Sequence, residues 1–353
     1  MAHVVAPAQH RLMTIKTAVA ILALAWSVAS AQTVGSKPAP VTADNFIRAE
    51  SDTVFTGLVA QGGFGKFFHS RQLTPVDSRI VQRPNRDTLY STAVFDLDAG
   101  PVTITLPDPG KRFLSMIVID EDHYVLTVVY GAGRHTFSRA TVGTRYAVAA
   151  IRILINPADS KDVTQVNALQ DAVRVEQPGG PGKFDVPNWD KASHKKVRDA
   201  LVVLGETIPD WRRAAGRKGD VDEIRHLIVT ATGWGLNPDK DAIYLNITPA
   251  RNDGNTIYTL KVANVPVDGF WSISLYNPEG YFVKNPLDAY TLNNITAKTS
   301  ADGSVAIQFG GCDRTVQNCL PIIKGWNYMV RLYRPRLEIV NGSWTFPEAK
   351  PVS

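Results

Sequence analysis

The spacing of apolar residues changes period along the chain, and the changes divide it. Over positions 41–60, Ile47, Val54, Phe55 and Leu58 recur at helical spacing, with Thr42 or Asp44 available as a cap. The glycines around Phe64 end that helix. From Ile80 to Ile155 the pattern turns to strands. Val102–Leu106 alternates apolar and polar, and Pro107-Asp108-Pro109-Gly110 makes a turn. Phe113–Ile119 is almost continuously apolar, as in a strand covered on both faces. With Leu89–Leu97, Val125–Tyr130 and Tyr146–Ile155, these short strands predict an antiparallel sandwich or barrel.

A Pro/Gly-rich stretch, Pro178–Gly182, then precedes two predicted helices, Ser193–Leu204 and Val221–Thr230, whose many lysines and arginines read as a solvated face. Strands return at Ile243–Ile247, Ile257–Val262, Phe270–Leu275, Val305–Phe309, Tyr328–Tyr333 and Leu337–Val340, divided by turn dipeptides such as Asp253-Gly254 and Asn341-Gly342. The expected organisation is a signal peptide over 1–31, an N-terminal helical segment over 32–79, a first β domain over 80–177, a linker and helical insert over 178–240, and a second β domain over 241–353.

Arg11 and Lys16 precede a short apolar run, Ala18–Trp26, and a small-residue end at Ala29-Ser30-Ala31. This is the layout of a secretory signal cleaved after Ala31, and the run is shorter than the ~20 residues a membrane span needs. The expectation is a periplasmic or secreted protein with no stable membrane insertion. The formal net charge of +5, part of which leaves with Arg11 and Lys16, is too small to argue for a nucleic-acid partner. Cys312 and Cys319 are the only cysteines, and in an exported chain they read as a disulfide that pins a small loop. No histidine lies near enough to make them a zinc site. No Gly-x-Ser-x-Gly elbow, His-Glu-x-x-His motif or dinucleotide fingerprint is present, and no cofactor or metal is assigned.

Several sequence blocks agree with one family. They are Arg83-Pro-Asn-Arg-Asp-Thr-Leu-Tyr-Ser91, Leu97-Asp-Ala-Gly-Pro-Val102, Asp120-Glu-Asp-His-Tyr124 and Val166-Asn-Ala-Leu-Gln-Asp171 in the first half. In the second half they are Gly269–Tyr276, Asn285-Pro286, Asp302-Gly-Ser304, Asn318-Cys-Leu-Pro321 and Val330-Arg-Leu-Tyr-Arg-Pro335. Together they resemble exported bacterial proteins that pair domain of unknown function 1254 with domain of unknown function 1214. The resemblance implies a mainly β fold: two antiparallel jelly-roll-like β-sandwich domains, an N-terminal helix, a helical insert between them, and often a homo-oligomer. It implies no settled activity. Many relatives have Asn-Trp-Leu-Pro where this chain has Asn318-Cys319-Leu320-Pro321, so the cysteine pair replaces a tryptophan there.

Three blocks carry candidate chemistry. Asn85, Arg86 and Asp87 sit at the mouth of an apolar strand, where polar groups must be solvated, paired or used. Asp87 is a candidate general base, and Asn85, Arg86 and Tyr90 are candidate ligand contacts. Asp120-Glu121-Asp122-His123-Tyr124 interrupts a strongly apolar strand pair. His123 is a second candidate base, with Asp120 and Tyr124 as ligand contacts, while the run lacks the regular spacing and turn glycine of a calcium loop. In the second half, Tyr276 shares a strand face with Ser272 and Ser274. Arg331 projects from an alternating strand, where an inward arginine must find a carboxylate or a ligand. Each block also has a structural use: backbone anchoring, a solvated hairpin, or core packing. The reading that follows is an exported protein binding a polar small molecule or saccharide in a cleft of the first β domain. The alternatives are a hydrolase or lyase using Asp87 or His123 as base, and a non-catalytic oligomeric assembly protein. The binding and catalytic readings require the Asn85–Asp87 and Asp120–Tyr124 groups to share one hollow.

Overall fold

A computed structural model describes residues 37–79 and 81–352. The expected signal segment lies outside the described residues. The first half contains α1 (Phe46–Ala60), β1 (Phe68–His69), β2 (Thr88–Asp96), β3 (Val102–Leu106), β4 (Leu114–Asp120), β5 (Val125–Tyr130), β6 (Gly133–Phe137), α2 (Arg139–Val142), β7 (Tyr146–Leu154), α3 (Ser160–Asp171) and β8 (Arg174–Glu176). Helices α4 (Lys191–Gly205) and α5 (Glu223–Thr232) follow. The second half contains β9 (Ala242–Ile247), β10 (Tyr258–Val262), β11 (Trp271–Tyr276), β12 (Thr291–Asn293), β13 (Val305–Phe309), β14 (Cys319–Leu320), β15 (Asn327–Tyr333), α6 (Leu337–Val340) and β16 (Lys350–Pro351).

The strands form four sheets, two in each half. A five-stranded sheet ordered β1-β2-β7-β4-β5 faces the three-stranded sheet β6-β3-β8 across one core. The alternation of β3 explains the fit: Val102, Ile104 and Leu106 point into that core and Thr103 and Thr105 point out. In the second half, β12-β11-β15-β9 faces β14-β13-β10-β16 across a core that includes Ile273, Phe309, Trp326 and Val330. Pairing within the sheets is antiparallel except between β13 and β14, which run parallel. The fold is mainly β, as expected.

Every residue of β4 is buried. One face belongs to the sandwich core, while Ile117 and Ile119 pack outward near Trp234, beyond α5. Helices α1, α4 and α5 share a small core of their own, in which Phe46, Leu201 and Ile228 meet. Asp190 caps α4 by accepting from the Ser193 N–H (2.8 Å), and Asp222 caps α5 through the Ile224 and Arg225 N–H groups.

Three sequence expectations need correcting. Leu337–Val340 is a short helix rather than a strand, because it follows Pro335 and turns its apolar side onto the second core through Ile339. The first helix starts at Phe46, and Asn45 is spent on the Thr42 N–H instead of capping it. Helix α3 was not expected, since Val166 and Gln170 are its only buried positions and leave too thin an apolar stripe to read. The Cys312–Cys319 disulfide forms as expected, with an S–S distance of 2.03 Å, and leads directly into β14.

Candidate functional site

The Arg83–Asp87 segment crosses from the second sandwich into β2. Arg83 takes a left-handed backbone (φ 51°), unusual for a residue with a side chain, and its N–H is held by the Gly280 carbonyl. Asn85 Oδ1 accepts the Asp87 N–H (2.7 Å), an Asx turn that leads the chain into the strand. That bond fixes the amide's orientation, so Asn85 Nδ2 donates to the Tyr333 hydroxyl (3.1 Å). Arg331 locks the same segment from below. Its guanidinium donates to the Arg83 carbonyl (2.8 Å), the Tyr276 hydroxyl (2.8 Å) and Ser274 Oγ (2.9 Å), and Tyr276 donates in turn to the Pro84 carbonyl (2.8 Å).

Asp87 is fully buried beneath this turn. Its Oδ1 accepts from Thr291 Oγ1 and Asn293 Nδ2, both at 3.0 Å. Its Oδ2 and the buried Ser272 Oγ complete no bond of good geometry. Burial pushes the Asp87 carboxyl above its ordinary range, against the pull of Arg331 and its hydrogen-bond donors. Arg86 turns away, donating to the Thr74 carbonyl and lying over the ring of Tyr290 at 5.5 Å.

The Asp120–Tyr124 turn is on the helix-covered side of the first sandwich. Asp120 Oδ1 accepts the N–H groups of Asp122 and Tyr124, and burial raises its pKa to about 7. Arg48 of α1 pairs with Asp122 (2.6 Å) and Glu121 (3.4 Å). Tyr124 donates to Glu223 and stacks on His226 at 4.5 Å; burial and then Glu223 push its hydroxyl up to about 12. His123 is fully buried, stacked between His226 and Trp234, and its pKa is driven well below the usual value by burial and by His226. Both ring nitrogens are used. Nε2 accepts the Gly235 N–H (2.9 Å), so Nδ1 carries the proton and donates to Thr230 Oγ1 (2.8 Å). Among the described residues, no group of three or more metal-ligating side chains converges.

A cleft of about 800 Å³ opens where the two sandwiches and the helices meet, within the range of ~300–1,000 Å³ typical of small-molecule sites. Of the residues expected to bind a ligand, Asn85, Tyr90 and Arg331 line it. Asp87, Arg86, Asp120, His123, Tyr124 and Tyr276 do not. The two clusters expected to share a hollow do not, and the Asp120–Tyr124 cluster is linked to the cleft by a short relay. His123 holds the N–H of Gly235, and the Gly235 carbonyl accepts from Arg152 Nη2 (3.0 Å), which places Arg152 at the cleft. Gly235 takes a left-handed backbone (φ 83°) while serving both neighbours.

Arg152 is the residue the sequence reading missed. It pairs across the sheet with Tyr90, while Arg331 pairs with Tyr244 on β9, so each sandwich presents an arginine beside a tyrosine. Arg152 is 8% exposed, lies over the Tyr90 ring at 5.5 Å with the Tyr90 hydroxyl nearby, and its Nη1 completes no hydrogen bond of good geometry. Tyr333 accepts from Asn85 and Tyr244 accepts from Asn237 Nδ2 (2.9 Å), so both hydroxyl protons are left without an acceptor among the described residues. Burial first, then Tyr244 and Tyr90, hold the Tyr333 hydroxyl well above the usual tyrosine range, and it stays a donor. Among the described residues no carboxylate lies within ion-pairing distance of Arg83, Arg152 or Arg331. Asp87 acts on Arg331 only as a nearby charge. The acidic residues lining the cleft, Glu206, Asp210 and Glu348, are exposed at its rim. The floor is therefore rich in donors and positive charge and poor in acceptors. The signal was available in principle: Arg152 is the lone charge in Tyr146–Leu154, as Arg331 is in Asn327–Tyr333.

Residues 64–141 match the model of a protein of unknown function, DUF1254, and residues 244–337 match that of a protein of unknown function, DUF1214. The chain thus carries a match to each of these two models, the first N-terminal to the second, as the sequence blocks implied. No curated protein matches it. It is similar to the crystal structure of the VPA0106 protein from Vibrio parahaemolyticus, with a TM-score of 0.66 at 17% identity, covering 88% of this chain and 98% of that one. A putative uncharacterized protein from Burkholderia cenocepacia aligns with a TM-score of 0.49 at 12% identity, over 82% of this chain and 83% of that one. The first likeness supports the fold.

Proposed function

We propose that this protein, exported by the segment ending at Ala31, binds an anionic small molecule in the cleft at the junction of the two sandwiches. One observation carries the reading. Arg152, Tyr244 and Tyr333 bring unspent donors to a buried, positively charged floor with no protein carboxylate to neutralise it. A buried cation is costly unless it is paired, and a bound anion supplies the missing partner. A neutral saccharide would satisfy the donors but leave the charge. Asp87 and His123 are committed inside the protein, so the proposal routes no chemistry through them.

Thermal unfolding at constant ionic strength tests it with a panel of carboxylates and phosphates. A ligand at a hundredfold excess over its Kd stabilises by ~2.7 kcal/mol, several degrees for a chain of this size. The shift should disappear in Arg152→Gln. Equal shifts in wild type and variant would falsify the proposal.

A further inference from the structure

The anion proposed above accounts for only the floor of the cleft. The walls are of another kind. Trp211, from the connection between α4 and α5, Leu245 on β9, and Trp344 and Phe346 near the C-terminus all line the same hollow. Trp234, which backs His123, lines it as well. Trp211, Trp234, Leu245 and Trp344 are only partly buried, so apolar and aromatic surface is left facing the cleft. An inorganic ion would occupy a small part of about 800 Å³ and leave this surface wet.

The geometry points to an amphipathic organic anion as the occupant: a small charged group against Arg152, Tyr244 and Tyr333, and an apolar, aromatic-sized body that passes the open edge of β9 to reach Trp211 and, on the other face of that strand, Leu245 and Trp344. The inference rests on the anion reading and adds the ligand's second half. Aromatic side chains suit such a body because they offer large stacking faces. The buried floor gives orientation, since the charged end gains a partner only there.

Calorimetric titration of the wild-type chain with acetate, 3-phenylpropionate and 3-phenylpropanamide separates the two halves. The phenyl-bearing acid should bind at least about tenfold more tightly than acetate, because its body removes apolar surface from water. The amide, which keeps the body but loses the charge, should bind at least about tenfold more weakly than the acid. Trp344→Ala should weaken 3-phenylpropionate and leave acetate unchanged. The wild-type comparison stands alone if that variant does not fold. Acetate binding as tightly as 3-phenylpropionate would overturn this inference and leave the anion reading intact. Amide and acid binding equally, or no binding by any of the three, would overturn both.

Discussion

The two buried arginines at the junction hold matching positions, one on each sandwich and each beside a cross-strand tyrosine, yet their surroundings differ. Arg331, 2% exposed, spends its N–H groups on the Arg83 carbonyl, Tyr276 and Ser274, and so ties the second sandwich to the mouth of β2. Arg152 spends one nitrogen on the Gly235 carbonyl, and another completes no hydrogen bond of good geometry. Burial of a cation therefore does not identify a binding group; the donors left over after the fold is satisfied do.

The comparison can be broken by paired substitutions. Arg331→Met should cost the most, on the order of 3–5 kcal/mol in denaturant unfolding, because it strands the buried Arg83 carbonyl, Tyr276 and Ser274 partners together. Arg152→Met should fall within ~1 kcal/mol of wild type or be slightly stabilising, since it removes a buried charge that has no protein counter-ion. Equal losses for the two would erase the distinction drawn between them.

Asp87 sharpens it. Asp87→Ala orphans the Asn293 donor and one Thr291 contact and should cost ~2–3 kcal/mol. Asp87→Asn should stay within ~1 kcal/mol, because the amide oxygen keeps both donors and the new N–H points at the orphaned Ser272 Oγ. Equal losses in the Asn and Ala variants would contradict this hydrogen-bond accounting.

The turn behind the cleft gives an effect that appears only as a change with pH. Asp120 has a folded pKa of about 7 against an ordinary 3.8. The folded state thus holds the proton more tightly, and the stability Asp120 contributes, complete below pH 3.8, is lost as pH rises through about 7. His123 is shifted the other way, so its contribution is present above pH 6.5 and is lost as pH falls toward its depressed folded value. The difference between wild type and Asp120→Asn, measured at each pH, removes the His123 term. The variant should gain steadily on wild type as pH rises from ~4 to ~7. A constant difference across that range would contradict the assignment.

Much of the fold was legible because strand period and turn chemistry are local. The almost continuously apolar run Phe113–Ile119 signalled a strand covered on both sides, and β4 is buried throughout. Arg331 was legible as an inward cation in an alternating strand. Arg152 carries the same mark, but tertiary contact decides whether such a residue is satisfied, and Gly235 lies far from it in sequence. The floor depends on still longer range, since Asn85 and Tyr333 are 248 positions apart. The Asp120–Tyr124 run drew attention for its charge density. The fold spends that charge on Arg48, on Tyr146 and on its own backbone.

Because one arginine–tyrosine pair comes from each sandwich, neither half owns a complete floor. A fragment carrying only the first would expose Tyr90 and Arg152 to water, where a lone guanidinium attracts anions weakly and without selection. A fragment carrying only the second would lose the turn that Arg331 grips. The proposed recognition is a property of the seam, and cutting the chain into its two matched segments for separate assay would discard what the assay sets out to find.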